Sequence, residues 1–244
     1  MAARASSFSG TLRQRLARLS QFVLGPPIVG FGALYLWTSK CRFEPFGPEN
    51  STLFQHPTLK IINPRNNPSS HDCCVRAVPF AQVRPELLED ARRGGTRMVE
   101  AFSAGMWGGY GYGIQRNIMR MTKDESNIND LWTKQELLRD SYEPGTAITN
   151  HFLVLDKTSS SLTFRGCLGP QQSPPPGPLE LDNLFELSAT VDEKSQRVEF
   201  RLKCITFDGT DLTAREDPYG GFPGFLHRQY AKLLVEAAVK NCVR

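Results

Sequence analysis

His71 and His227 stand where an imidazole could act as an acid or base. His71 sits beside Asp72 at the start of an alternating segment, and a neighbouring carboxylate can hold a ring as general base. The same two residues also suit a turn. His227 falls in the first turn of a long C-terminal amphipathic segment, either at a cavity mouth or on the surface. Tyr110 and Tyr112 lie with Trp107 around the run Gly108-Gly109-Tyr110-Gly111-Tyr112-Gly113. They read as an aromatic lining with hydroxyl donors, or as close helix packing that glycine permits. Asn150 shares its parity with Phe152 and Val154 and is expected to point inward, whereas His151 takes the opposite parity and is expected at the surface.

Other chemistries lack their residues. No Gly-Lys-Ser or Gly-Lys-Thr follows the glycine run, its spacing fails the dinucleotide fingerprint, and no G-x-S-x-G occurs. The six cysteines contain no C-x-x-C, and Cys73 and Cys74 are adjacent, where a disulfide is strained. They are expected to be free thiols in the core. The four histidines and scattered acids have no ligand spacing, so neither a metal nor a cofactor is expected. Arg165, Glu186, Glu199 and Arg201 read as cross-strand charge pairs on a wet face.

Charge narrows the partners. The chain carries a net +4, and Arg4, Arg13, Arg15, Arg18, Lys40 and Arg42 precede the first acidic residue. Those six leave the remainder at −2, too neutral for a broad basic face, so nucleic-acid binding is disfavoured. Residues 1–40 form a basic, acid-free stretch with Leu12, Leu16 and Leu19 at helical spacing, followed by an apolar run from Phe22 to Trp37. A transit peptide, a short membrane anchor and a segment packed on the domain all fit. Membrane-associated intracellular placement leads, with a mitochondrial one as the alternative. Asn50-Ser51-Thr52 is a glycosylation sequon that matters only in a secretory lumen.

The remaining elements must position the candidate groups. Residues 41–70 are rich in Pro and Asn and are expected to form an extended linker with little regular structure. The domain is expected over 71–244. A strand over 72–80, a helix after Pro85, a helix over 96–107, its continuation over 114–121 and a short helix or turn over 131–140 come first. Two hairpins follow, 147–157 with 161–168 and 183–192 with 197–207. Gly169 to Pro178 reads as a loop and Asp208 to Gly221 as a connection. Phe222 to Arg244 then reads as one helix, with Arg228, Lys232, Glu236, Lys240 and Arg244 along one charged stripe. Phe185, Leu187, Ala189 and Val191 share a face with one parity, as do Val198, Phe200, Leu202 and Cys204. That apolar face needs cover, and the helices are available for it.

This order, with the terminal segment FPGFLHRQYAKLLVEAAVKN, resembles the helix-grip superfamily of START-like and polyketide-cyclase-like proteins. The texture is also similar to fungal proteins found near natural-product pathways. The resemblance covers about His71 to Arg244 and implies an α+β fold in which a curved antiparallel sheet wraps a long C-terminal helix. It further implies an apolar small-molecule partner (a polyketide, terpenoid or lipid). Two functions follow as expectations: a cofactor-free cyclase, isomerase or dehydratase using shape and acid/base help, or a non-catalytic lipid or isoprenoid carrier. Its candidate groups would be His71, Asp72, Tyr110, Tyr112, Asn150 and His227.

Overall fold

A computed structural model describes residues 28–170, 177–211 and 221–244. The expected basic stretch before residue 28, the middle of the 169–178 loop and most of the 208–221 connection lie outside them. Helix α1 (Ile28–Trp37) leads into a short strand β1 (Arg42–Glu44), a 3-10 turn (Thr52–Gln55) and α2 (Pro57–Ile62). Strand β2 (Ser69–Pro79) follows, then helices α3 (Pro85–Arg92), α4 (Arg97–Gly108), α5 (Tyr110–Met119) and α6 (Lys134–Arg139). Strands β3 (Ala147–Ile148), β4 (Phe152–Lys157), β5 (Ser161–Gly166), β6 (Asp182–Asp192) and β7 (Arg197–Phe207) come next, and α7 (Phe222–Lys240) closes the chain.

Local signals account for the helix starts. Pro85 and Pro223 occupy first-turn positions, where the missing N–H costs no helical hydrogen bond. Thr133 and Glu136 form a reciprocal capping box that starts α6. The strands build a curved seven-stranded sheet in the order β1-β2-β7-β6-β5-β4-β3, with every strand pair antiparallel. The helices α3 to α6 are thus inserted between β2 and β3, strands at opposite sides of the sheet.

Parity sorts the sheet's side chains as alternation requires. Phe185, Leu187, Ala189, Val198, Phe200 and Leu202 join one large core with α4, α5 and α7. Phe164 and Phe185, cross-strand partners, stack with ring centres 5.0 Å apart. Helix α4 crosses α7 closely: a Cβ on Gly105 would lie 2.4 Å from the Ala238 carbonyl oxygen. Gly105, Gly108 and Gly111 therefore act in helix packing, while Trp107 and Tyr112 are buried in the large core. Helix α7 is also tied to β2 by an ion pair, Arg76 Nε to Glu236 Oε2 at 3.0 Å.

Two expectations are corrected here. Residues 41–70 are not a structureless linker. Strand β1 pairs with β2, and Phe46, Leu53 and Ile62 make a second core with Cys73, Val75, Leu184, Ile205 and Phe207. That second core covers the other face of the sheet, so this face is wet only in part. Glu186 does pair across strands with Lys203 there, at 2.7 Å, whereas Arg201 pairs with Glu199 on its own strand. Arg165 is the exception. It is buried, with Nε 3.1 Å from Asp182 Oδ1 and Nη2 2.5 Å from Oδ2. A two-point pair of this kind satisfies charges that burial would otherwise penalise. The charged stripe of α7 is likewise half-covered: Lys232 sits over the Phe43 ring and Glu236 faces Arg76.

Candidate functional site

The large core does not close completely. A cavity of about 90 Å³ remains between the sheet and α7. Strand pairing explains its walls. One cross-strand row carries Asp72 on β2, Cys204 on β7, Phe185 on β6 and Phe164 on β5. The next row carries Thr206, Asn183, Gly166 and Phe152. Cys204, Phe185, Thr206, Asn183 and Phe152 all face the cavity. Met106 and Trp107 of α4, Tyr112 and Gln115 of α5, and Tyr230, Ala231 and Leu234 of α7 complete most of the lining. Aromatic and aliphatic side chains dominate, and polar groups converge from β6, β7 and the start of α7.

His227 defines that polar region. It lines the cavity, and its Nε2 lies 3.2 Å from Asp72 Oδ2. The Asp72 and His227 side chains are only 14% and 23% exposed, so the contact is shielded from bulk water. Burial alone would lower the imidazole pKa. The Asp72 carboxylate, together with the hydrogen-bonding contact to Cys204, outweighs burial and raises it to about 10. His227 is therefore an imidazolium at neutral pH, held against a carboxylate. The second carboxylate oxygen, Asp72 Oδ1, is buried and has no hydrogen-bond partner among the described residues.

A second histidine also borders the cavity. His151 is 3% exposed, and its ring lies edge-on to Phe152 at 4.7 Å. Burial lowers its pKa to about 4, so it is neutral at pH 7. The surface position expected for it is corrected. Thr149 and Asn150 both take left-handed backbone conformations, φ 53° and 55°, which break the strand between Ile148 and Phe152 and reset parity. The same turn overturns the inward Asn150. Its backbone N–H instead donates to Asp130 Oδ2 at 2.6 Å, and it is absent from the cavity wall.

The remaining candidates divide. Tyr112 lines the cavity with its hydroxyl bonded to Thr149 Oγ1, and burial raises its pKa. Tyr110 is 42% exposed on the outer side of α5 and accepts a hydrogen bond from Trp37 Nε1 at 3.0 Å. His71 does not work with Asp72. Adjacent strand residues point to opposite faces, and His71 packs edge-on against Phe46 and Phe54 beside the second core. Asp72 and His227 come together, whereas His71, Tyr110 and Asn150 stand apart from them.

Sequence reasoning passed over two of the polar cavity residues. Cys204 and Asn183 had the right parity but no motif to mark them. Trp107 is fully buried amid Tyr112, Phe152, Phe164 and Phe185, and its Nε1–H has no acceptor among the described residues. A buried donor left unpaired costs about 1–3 kcal/mol. Among the described residues no cluster of three or more His, Cys, Asp or Glu side chains could hold a metal ion. No protein-family model, curated protein or solved structure matches this chain.

Proposed function

We propose that the chain is a helix-grip domain that binds a small apolar molecule bearing an oxygen function between its sheet and its last helix. The observation that carries this reading is the cavity itself, apolar on most walls, with the Asp72–His227 pair at its polar region and the unpaired Trp107 donor in its aromatic wall. Preformed concave sites with a few convergent polar groups are the usual form of small-molecule sites. The element order supports the fold assignment: one long strand, a set of helices, antiparallel strands and a closing helix.

Size restricts the ligand. About 90 Å³ is less than the roughly 150 Å³ engineered cavity that accepts benzene. A whole polyketide does not fit without movement of the walls. A single ring, or the end of a longer chain, matches the space better once Leu234 or Met106 shifts rotamer. The chemistry that suits this site is enolisation or dehydration beside a carbonyl. The His227 imidazolium can protonate or hydrogen-bond a developing oxyanion, with Asp72 holding the ring in place. Native mass spectrometry of protein isolated from its source tests the reading. A retained apolar ligand of one or two rings supports it, and ligand-free protein that also ignores a panel of cyclic ketones removes it.

A specific observation also favours the carrier alternative. Tyr35, Leu36 and Trp37 at the end of α1 are exposed, as are Tyr110 and Ile114 one turn apart on α5. Trp37 contacts Tyr110, so the two helices present one aromatic surface. Residues 1–27 carry four arginines and no acid. Among the described residues no helix is long and apolar enough to cross a membrane. In this reading the protein lies on an anionic bilayer through that surface and shields a lipid end-group. Flotation with vesicles containing anionic lipid tests it, and loss of co-flotation on Trp37→Ser is the expected result.

A further inference from the structure

Five of the six cysteines are buried, and chemistry distinguishes them further. Burial raises the thiol of Cys73 to about 11, that of Cys167 to about 12 and that of Cys242 higher still. Contact with Cys41, together with burial, raises Cys74. Protonated buried thiols are poor nucleophiles. Cys204 differs in place and company. It is partly exposed, faces the cavity, and is the direct cross-strand partner of Asp72. His227 lines the same cavity as Cys204 and reaches Asp72, the cross-strand partner of Cys204, at 3.2 Å, and Thr206 Oγ1 lies 3.5 Å from the Cys204 sulfur. A thiol, an imidazole and a carboxylate thus meet at the edge of a ligand-sized space, the general arrangement of an activated nucleophile.

We infer that Cys204 is a nucleophile, served by His227 and its Asp72 partner, that captures cavity ligands bearing an α,β-unsaturated carbonyl. The class follows from the cavity: apolar walls take the hydrocarbon part, and the imidazolium takes the carbonyl oxygen. The inference rests on the small-molecule reading but adds a covalent step. Sulfur forms a bond to the β-carbon, and the carbon–carbon π pair moves through the carbonyl to oxygen. The imidazolium delivers a proton that ends on the α-carbon. The thiol proton leaves to water, which reprotonates the imidazole. The product is a thioether that retains its carbonyl, with every atom accounted for and no oxidant or reductant required. Reversal expels the ligand unchanged, so the step suits retention of a reactive molecule as well as its isomerisation through rotation about the former double bond.

The test uses the full chain and acrylamide, a conjugate acceptor small enough for the cavity. Labelling at neutral pH is followed by peptide mapping of all six cysteines. Cys204 is expected to react on the order of tenfold faster than glutathione under the same conditions, although partly covered, and far faster than the other five. His227→Gln is expected to slow Cys204 by about tenfold while the other five are unaffected. The glutathione comparison needs no variant and so holds even if His227→Gln fails to fold. Labelling of Cys204 no faster than glutathione, or an unchanged rate in a folded His227→Gln protein, overturns the proposal. Neither result touches binding of saturated ketones, read separately as a thermal shift of Cys204→Ser. A shift there with an unreactive Cys204 discards the nucleophile alone, and its absence discards the site.

Discussion

Asp72 on β2 and His227 in the first part of α7 meet at 3.2 Å, a contact that fixes the closing helix to the sheet at the polar part of the cavity. The pair does two things at once. It keeps a protonated imidazole inside a largely apolar wall, and it couples the position of α7 to a charge. Lower on the helix, Glu236 and Arg76 repeat the connection with the charges reversed between helix and strand.

The first prediction concerns alkaline pH. His227 is raised to about 10 in the fold, above its ordinary 6.5. A folded-state pKa raised in this way adds stability that is complete below 6.5 and is lost as pH rises towards 10. Urea unfolding at intervals between these values should show a decline that His227→Gln abolishes. The difference between the two proteins is expected to change by about 2 kcal/mol across the window, after allowing for partial exposure. Parallel curves would contradict the pair.

The second concerns acid. His151 is neutral in the fold because burial lowers it to about 4, while the unfolded chain protonates near 6.5. The unfolded state binds more protons between those values, so stability should fall as pH drops from 6.5 towards 4, by up to about 3 kcal/mol. His151→Phe, compared with the parent by urea unfolding, should flatten that acid limb. An equally steep limb in the variant would place the effect elsewhere.

Two glycines in neighbouring helices should respond in opposite ways. A Cβ at Gly105 meets the Ala238 carbonyl oxygen at 2.4 Å, whereas one at Gly113 meets nothing within 4 Å. Gly105→Ala should destabilise by about 1–3 kcal/mol through overpacking against α7. Gly113→Ala should stabilise by up to about 1 kcal/mol, because only helix propensity changes there. Melting temperatures of the two variants decide the matter, and a neutral Gly105→Ala would mean that α4 and α7 are not so close.

Trp107 should select for oxygen. Its indole N–H has no acceptor among the described residues, so a bound carbonyl gains a hydrogen bond that a hydrocarbon of the same shape does not. The parent protein should prefer cyclopentanone to cyclopentane by about tenfold in Kd, and Trp107→Phe should bring the two close together. Calorimetric titration measures both. An unchanged preference in the variant would assign the discrimination to His227 instead.

The parts of this architecture that repeat were legible in the sequence. Phe185, Leu187 and Ala189 alternate so regularly with polar neighbours that their shared face could be read directly, as could that of Val198, Phe200 and Leu202. Pro85 and the long apolar stripe of α7 announced helix positions in the same way. Single deviations carried the rest and were not legible. Two left-handed residues, Thr149 and Asn150, reverse the parity that would have sent His151 to the surface. Arg165 looked like its solvent-facing neighbours because nothing in its own strand reveals that Asp182 and the Gly177 carbonyl meet its guanidinium. His71 and Asp72 were paired by adjacency, although period two already placed them on opposite faces. The true partner of Asp72 depends on how α7 is rotated against the sheet, which no local pattern records.

Occupancy of the space between the sheet and α7 decides whether this protein has a small-molecule role. Ala231 is buried in the cavity wall, so Ala231→Leu fills the space without adding a polar group. The decisive measurement is the melting temperature of the parent and of Ala231→Leu with and without a saturating single-ring ketone. A rise of several degrees in the parent and almost none in the variant is the expected result. No rise in the parent, or the same rise in both proteins, would contradict a binding site beneath the last helix.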